Sequence, residues 1–452
     1  MSDAEDHPDV APADSGQSRD PRVAVRSTSR TGRGSGGGRR RARTRKRHTV
    51  GRVLLSTLLV LALVSAMSVA YFYRHLNGNL NQVAIDGDII GDRADVADDV
   101  DTGPSGPINI LVMGTDTRSC DGCDIDGLNG EGGSDTTILL HLSADRKRAY
   151  GVSIPRDSLV DRPACKDKDD KSVIHPAATG QMWNAAFAYG GAACTVAQFE
   201  LNTDIHVDHY VTVNFASFKN MVDAIGGVEV CVPEDIHSEE YGIYIKKGTR
   251  KISGKQALAY VRVRHGIGDG SDIGRVKRQQ AFIGAMVGQV LSADTLANPV
   301  KVTKFLNAAT KSLTLDMDLT DLVKLALQFK GVGADGIQFI TVPWAPPASD
   351  PNRVEWTADA DVLWRRLKHD KTLPASLTTD AIHVDHLPGQ TASASASESA
   401  SATESPSASE SASSSATTSP STSGSPSSSP TLEANGRTAE ENAALEAAGL
   451  CT

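Results

Sequence analysis

YVRVRHGIGDGSDIGRVKRQQ, residues Tyr260 to Gln280, sets Arg262, Arg264, Arg275, Lys277 and Arg278 around a glycine-rich loop holding Asp269 and Asp272. The alternation Tyr260-Val261-Arg262-Val263-Arg264 predicts an extended segment with both arginines on one face and both valines on the other. Beyond the loop, GRVKRQQAFIGAMVGQVL reads as a helix that begins with Gly274 and Arg275. Arg275 and Arg278 are three apart and so share a helical face. Guanidiniums converging on a turn at a helix N-terminus make an anion site, because arginine matches phosphate bidentately and the first amides add partial positive charge. A salt-bridged surface patch would use the same residues, so the decision rests on the rest of the chain.

Outward from this stretch the composition is uneven. The 452 residues carry a net charge of −9. Residues 1–49 are polar, end in a run of arginines and lysine, and have nothing to bury, which predicts a disordered, basic cytoplasmic segment. Val53 to Tyr73 contains no charge, and as a helix it covers a bilayer core of about 30 Å. Residues 50–74 are therefore expected to be a transmembrane signal anchor. The basic run before it keeps the N-terminus in the cytoplasm and places the remainder outside the membrane. A cleaved leader is the competing reading, but the long apolar run argues against it. Residues 75–107 read as an acidic stalk, and residues 373–435, mostly Ser, Ala, Thr, Pro and Glu, as a disordered spacer. Residues 436–452 could form one short helix, too small to fold alone.

Between them, residues 108–372 alternate apolar runs with amphipathic stretches. Ile108–Met113, Thr136–Leu142, Tyr150–Ile154, Tyr210–Asn214, Val228–Val232 and Ile337–Val342 are predicted strands, several of them continuously apolar. Phe215–Ile225, Lys255–Tyr260, Arg275–Leu291, Val300–Ser312 and Leu319–Phe329 are predicted helices. The fold class is α/β: a single extracytoplasmic αβα domain with a central mixed sheet, preceded by one transmembrane helix.

All six cysteines fall on the exported side, where disulfides persist. Cys120 and Cys123 lie in an Asp- and Gly-rich loop and suit a local staple better than metal or redox chemistry. Cys165 with Cys194 is the preferred structural bridge, both being expected in loop-like segments that flank a helix-sized stretch. The partners of Cys231 and Cys451 stay open.

Three further stretches carry chemistry. NILVMGTDTR ends a buried strand in a polar turn with Asp116 and Arg118; SDTTILL brings Asp135 into a strand; SIPRDS leaves a strand with Arg156. Taken singly, each aspartate is a turn or cap residue. Together, two carboxylates at strand ends suit Mg²⁺, which takes one or two carboxylates and fills its other positions with water and phosphate oxygens. Arginines beside them make the composition that of a Mg²⁺-pyrophosphate site.

In order, NILVMGTDTR, SDTTILL, SIPRDS, WNAAFAYGG, FKNMVDAIGGVEV and ALAYVRVRH…DIGRVKRQQ resemble the LytR-CpsA-Psr (LCP) family of bacterial cell-wall proteins, from about Ile108 to Leu291. The resemblance implies a phosphotransferase. Such a protein moves a glycopolymer (teichoic acid, capsule or arabinogalactan) from a polyprenyl-pyrophosphate carrier to peptidoglycan, with Mg²⁺. It implies Asp116 and Asp135 as metal-binding acids, with Arg156, Arg262, Arg264, Arg275 and Arg278 binding the pyrophosphate, and it puts Asp272 and Gln279 inside the last motif. Arg118 and Gln279 join the pyrophosphate-binding set, and Asp116, Asp135, Arg156 and Arg275 are the expected catalytic residues. Asp116 or Asp135 would also help deprotonate the acceptor hydroxyl, most simply through the metal. Gly132 and Gly133 stand where the family often has an arginine before Ser-Asp, and Met182 where it often has a lysine. Small residues along Gln280–Leu291 (Ala281, Gly284, Ala285, Gly288) are expected to leave an apolar slot for the lipid, formed with Phe215–Ile225.

The expected partners are thus a polyprenyl-pyrophosphate-linked glycan, peptidoglycan and membrane lipid. A non-catalytic binder of polyprenyl phosphates and a hydrolase of the carrier pyrophosphate are the alternatives. Nucleic acid is the weakest reading, since the polyarginine is cytosolic and the acidic excess lies in the folded part.

Overall fold

INILVMGT and SDTTILLHL are too apolar for either face to stand in water, so they occupy the centre of a covered sheet. The computed structural model describes residues 47–100, 106–116, 132–239, 242–264, 266–389 and 437–452. Its main sheet contains β1 (Asn81–Gln82), β2 (Ile108–Thr115), β3 (Ser134–Leu142), β4 (Ala149–Ile154), β5 (His209–Asn214), β6 (Leu313–Leu315), β7 (Ile337–Thr341) and β8 (Ile382–His383). Their spatial order is β1-β6-β5-β2-β3-β4-β7-β8. The pairs β1/β6, β2/β5 and β4/β7 are parallel and the others antiparallel, so the sheet is mixed.

The helices are α1 (Arg47–Asn79), α2 (Ala185–Thr203), α3 (Phe215–Ala224), α4 (Gly254–Arg262), α5 (Asp272–Leu291), α6 (Pro299–Ser312), α7 (Leu319–Val332), α8 (Ala358–Lys368) and α9 (Ala439–Ala447). On one face of the sheet Leu111, Met113, Leu139 and Val152 pack with Val196 and Phe199 of α2 and Trp364 of α8. On the other, Ile110 packs with Leu325 of α7, and Leu142 and Phe339 with Ala281 of α5. Period-2 strands with apolar residues on both faces require this three-layer αβα arrangement. Among the described residues one helix, Thr49–Asn79, is long and apolar enough to cross a membrane. The chain divides into two units, Met1–Ser65 and Ala66–Thr452, and everything that follows concerns the second.

Cys165 is joined to Cys194, but Cys194 lies inside α2 rather than in a loop. The Gly-Gly pair just before it explains how. A Cβ on Gly190 would sit 2.8 Å from the Lys166 carbonyl oxygen and 2.6 Å from Cys194 Cβ. Gly191 takes φ 64°, which breaks the helix and which glycine alone adopts without penalty. A second disulfide joins Cys231 to Cys451. The staple expected at Cys120 and Cys123 lies outside the described residues, as do residues 1–46 and most of the Ser-rich spacer.

Two expectations are corrected. Tyr260–Arg264 is not a strand: α4 runs through Arg262, because Ser253 and Gln256 form a capping box that starts a helix rich in Gln, Ala and Leu. The boundaries 108–372 are also too narrow. Residues read as a solvated stalk carry β1, and Ile85 packs in the core beside Tyr150 and Ile205. Arg93 donates to Glu200 from both Nε (3.2 Å) and Nη2 (2.6 Å), while the Ala94 and Val207 amides donate to the same carboxylate. Beyond residue 372, Ile382, Val384 and Leu387 are buried, and so are Leu445, Ala448 and Leu450. Single apolar residues scattered in acidic sequence have no periodicity, and burial of that kind is decided only by what they meet.

Glu200→Ala should therefore lower unfolding free energy by about 2 kcal/mol or more, since it strands buried donors. Urea unfolding of the full chain in detergent would measure this; a loss under about 0.5 kcal/mol would place residues 80–99 outside the cooperative unit.

Candidate active site

Each functional side chain sits where a regular element ends. β2 finishes at Thr115, with a register shift between Gly114 and Thr115, and presents Asp116. Asp135 is the second residue of β3, and the Asp116 amide donates to the Gly133 carbonyl at 3.2 Å, so the two carboxylates belong to the same end of one strand pair. Arg156 lies in the turn after β4, closed by the Ser158 amide donating to the Pro155 carbonyl at 3.1 Å. Segment 183–184 locks that turn: the Trp183 amide donates to Ser158 O and the Asn184 amide to Arg156 O. Trp183 is fully buried, and its indole N–H donates to Thr137 Oγ1 at 2.9 Å. Its aromatic bulk and satisfied polar edge pin β3 to the turn.

α5 supplies the rest. Its cap, Ser271, accepts from the Gly274 amide at 2.9 Å, and Asp269 accepts from the Ser271 amide at 2.8 Å. This directs Asp272 and Arg275 toward the strand ends. One atom then gathers the cations. Asp272 Oδ1 lies 2.6 Å from Arg275 Nη2, 3.1 Å from Arg264 Nη2 and 3.7 Å from Arg156 Nε. Arg156 Nη1 also donates to Asp135 Oδ1 at 2.7 Å. Asp157 sits 3.5 Å from Arg156 Nε and 3.4 Å from Arg353 Nη1.

The cluster is near charge balance, with Asp135, Asp157 and Asp272 against Arg156, Arg264 and Arg275, and burial rather than net charge sets its electrostatics. Burial, followed by the charges of Arg275 and Arg156, holds the Arg264 guanidinium below its ordinary value despite Asp272 and Asp135. Burial also opposes the Arg156 charge, but the hydrogen bond and charge of Asp135 outweigh it and raise that pKa. An arginine stays charged in either case, so what the cluster offers an anion is donor capacity that its carboxylates leave unused. Among the described residues, the buried Nε groups of Arg156 and Arg275 and Asp272 Oδ2 have no hydrogen-bond partner. Buried donors without acceptors are costly unless a ligand supplies them. The donor set at the strand ends also fits a hard cation. No group of three or more His, Cys, Asp or Glu exists among the described residues to form an all-protein cage. Mg²⁺ held by one or two carboxylates plus phosphate oxygens needs none.

Of the residues expected from sequence, Asp135, Arg156, Arg264 and Arg275 converge, with Asp116 at the same strand-pair end. The Arg262 guanidinium lies 4.2 Å from the centre of the Phe215 ring, a cation–π contact. Two residues differ from expectation. Arg278 is fully buried and donates to the carbonyls of Val263 and, at 3.0 Å, Ala448, so it braces backbone rather than facing the cluster. Gln279 accepts from Thr136 Oγ1 and donates to Val261 O, bridging β3 to α4. Three apart on one helix did not mean one role, because α5 is covered on more than one side. Lys277 turns away to the Asp380 carbonyl. Arg118 lies outside the described residues. The central role of Asp272 was missed, although an acid three residues before an arginine at a helix start signals such a pair. Asp157 and Arg353 were missed because their partners are distant in sequence.

Among the described residues, the small side chains expected to line a lipid slot on α5 are closely packed. Ala281 and Ala285 line a cavity of about 20 Å³, the room of one water, and it lies against Leu387 and Leu450 rather than Phe215–Ile225. A Cβ on Gly284 would approach Leu387 to 3.0 Å. The small residues serve close packing.

A polyisoprenyl-teichoic acid–peptidoglycan teichoic acid transferase, TagU of Enterococcus faecalis, is 33% identical over 224 residues, covering 50% of this chain and 66% of the relative. The cell wall biosynthesis protein LcpA of Corynebacterium glutamicum is 30% identical over 291 residues, covering 59% and 54%. The chain thus spans between half and two thirds of the length of these curated relatives. The crystal structure of Bacillus subtilis TagV superposes with a TM-score of 0.47 at 28% identity, covering 59% of this chain and 98% of that one. The family model described as the LytR_cpsA_psr family matches residues 73–368, more than half the chain, and takes in the early segment that packs into the core as well as the arginine cluster. The chain belongs to the LytR_cpsA_psr family.

Proposed function

We propose that the protein transfers a glycopolymer from a polyprenyl-pyrophosphate carrier to peptidoglycan, as a membrane-anchored phosphotransferase with a cytoplasmic N-terminus and its folded unit outside the membrane. The observation that carries this reading is the convergence of Arg156, Arg264 and Arg275 on Asp272 Oδ1, with buried Nε donors left over. The names of the relatives support the substrate class.

A pyrophosphate would supply the acceptor oxygens those donors lack. The acceptor hydroxyl attacks the phosphorus next to the glycan. Its new P–O bond forms as the bond to the bridging oxygen breaks, and polyprenyl phosphate leaves. Arginines fixed before the reaction stabilise the charge that builds on the leaving phosphate without reorganising. Asp116 or Asp135 takes the hydroxyl proton. Mg²⁺, held by the same two carboxylates, would add Lewis-acid neutralisation of phosphoryl oxygens. The uncharged residues Gly133 and Met182 leave the arginine cluster as the main anion contact, so the glycan is read less tightly than the pyrophosphate.

The test uses the full chain in detergent with a lipid-pyrophosphate-linked glycan, peptidoglycan oligomers and Mg²⁺, and follows the phosphodiester-linked product by mass spectrometry. Product should appear, vanish with EDTA and return with Mg²⁺. Asp116→Ala and Asp135→Ala should each cut turnover about a hundredfold or more at an unchanged melting temperature. Tight lipid binding without product would favour a non-catalytic binder, and phosphorylated glycan released without acceptor would favour a hydrolase.

A second comparison separates ligand arginines from bracing ones. Arg264→Ala should weaken binding of a lipid pyrophosphate about tenfold and leave stability alone, since that side chain is 37% exposed. Arg278→Ala should lose about 3 kcal/mol of stability, because it abandons buried carbonyls. Equal stability losses in the two would contradict the assignment.

A further inference from the structure

The loop between α4 and α5 buries Val263 and Ile267 in the core and is also held from outside. The last residues of the chain hold it. α9 starts with a capping box between Thr438 and Glu441 and ends against this loop. The Asp269 amide donates to the Ala447 carbonyl at 2.7 Å, and Arg278 Nη1 donates to Ala448 O. Gly268, at φ 57°, lets the two segments touch: a Cβ there would lie 2.4 Å from Ala447 O and 2.6 Å from the Gly449 nitrogen. Gly274 of α5 also faces Ala448, less tightly, with a Cβ position 3.3 Å from its Cα.

These contacts lead to the arginine cluster in two short routes. Asp269, fixed through its amide, caps Ser271 through its side chain, and Ser271 caps the helix turn that carries Asp272 and Arg275. Arg278 links Ala448 O to Val263 O, the residue before Arg264. The segment is retained by Leu445, Ala448 and Leu450, buried with Ala281 and Leu387, and by the disulfide from Cys451 to Cys231, whose Cα atoms are 5.9 Å apart. Arg437 Nη2 also donates to the His386 carbonyl at 2.7 Å. Sixteen residues with one short helix cannot hold such a position by their own stability.

We propose that Arg437–Cys451 is a positioning strap for the anion site, and that the Cys231–Cys451 disulfide keeps it seated. It touches no substrate; it sets where Asp272, Arg264 and Arg275 stand. This rests on reading the cluster as a diphosphate site.

The full chain in detergent is compared with Cys451→Ser, with Leu450→Ser, which keeps the disulfide, and with Cys194→Ser as the control for losing the other disulfide. Hydrogen exchange at residues 266–275 and calorimetric affinity for farnesyl diphosphate are both read well below the melting temperature. Cys451→Ser should speed exchange at 266–275 and weaken affinity, each about tenfold, with Leu450→Ser moving both the same way and Cys194→Ser moving neither. Unchanged exchange in both strap variants would overturn the proposal, as would an equal loss in Cys194→Ser. Tighter farnesyl diphosphate binding without the disulfide would also overturn it and make the segment a plug. A wild-type chain that ignores farnesyl diphosphate would count against the diphosphate reading alone, because the exchange comparison decides the strap by itself.

Discussion

A single carboxylate oxygen, Asp272 Oδ1, holds together what would otherwise repel. Arg156, Arg264 and Arg275 come from a turn, an interhelical loop and a helix, and each reaches the same atom. Removed from water, three guanidiniums side by side would cost several kcal/mol in mutual repulsion and desolvation. One shared anion lowers that cost without cancelling it, and Asp135 absorbs part of the remainder through Arg156. Asp157 offsets more of it, and what is left is a fixed set of guanidiniums with buried Nε donors that make no hydrogen bond, groups that phosphoryl oxygens could accept from.

The rest of the fold serves that convergence. Carboxylates at the ends of β2 and β3 are placed by a sheet covered on both faces. The Arg156 turn cannot wander, because the Trp183 and Asn184 amides hold its carbonyls and the Trp183 indole is itself anchored on β3. The less regular loop between α4 and α5 gains its rigidity from elsewhere, through Arg278 and the C-terminal segment. A buried arginine spent on carbonyls is an expensive brace, and its position between loop and C-terminus accounts for its use.

Both flanks of the domain add to the core with few residues each. Ile85 and the Arg93–Glu200 pair fasten the segment after the anchor, and Leu387, Leu445 and Leu450 fasten the chain at the other end. The second set fills the side of α5 where small residues would leave room for a lipid, and close packing takes the place of a slot. The same three leucines hold the strap and occupy that space.

Much was determined by sequence alone. The membrane-length apolar helix, the mixed α/β order, the central strands and the acids at their ends follow from hydropathy and period, which are local properties. Asp135, Arg156, Arg264 and Arg275 were legible because phosphate chemistry demands those residue types and their motifs occur in order. Tertiary structure decided the rest. A capping box, not alternation, settled Tyr260–Arg262 as helix and left Arg264 in the loop beyond it. Arg278 and Gln279 look like ligands in a motif, yet only the covering of α5 assigns them to backbone and to Thr136. Asp272 became the centre because three elements distant in sequence meet there. The pairing of Cys231 with Cys451, 220 residues apart, depends on a docked segment with no strong signal of its own. Local free energies are readable in order along a chain, whereas a contact between remote segments exists only once the core has brought them together.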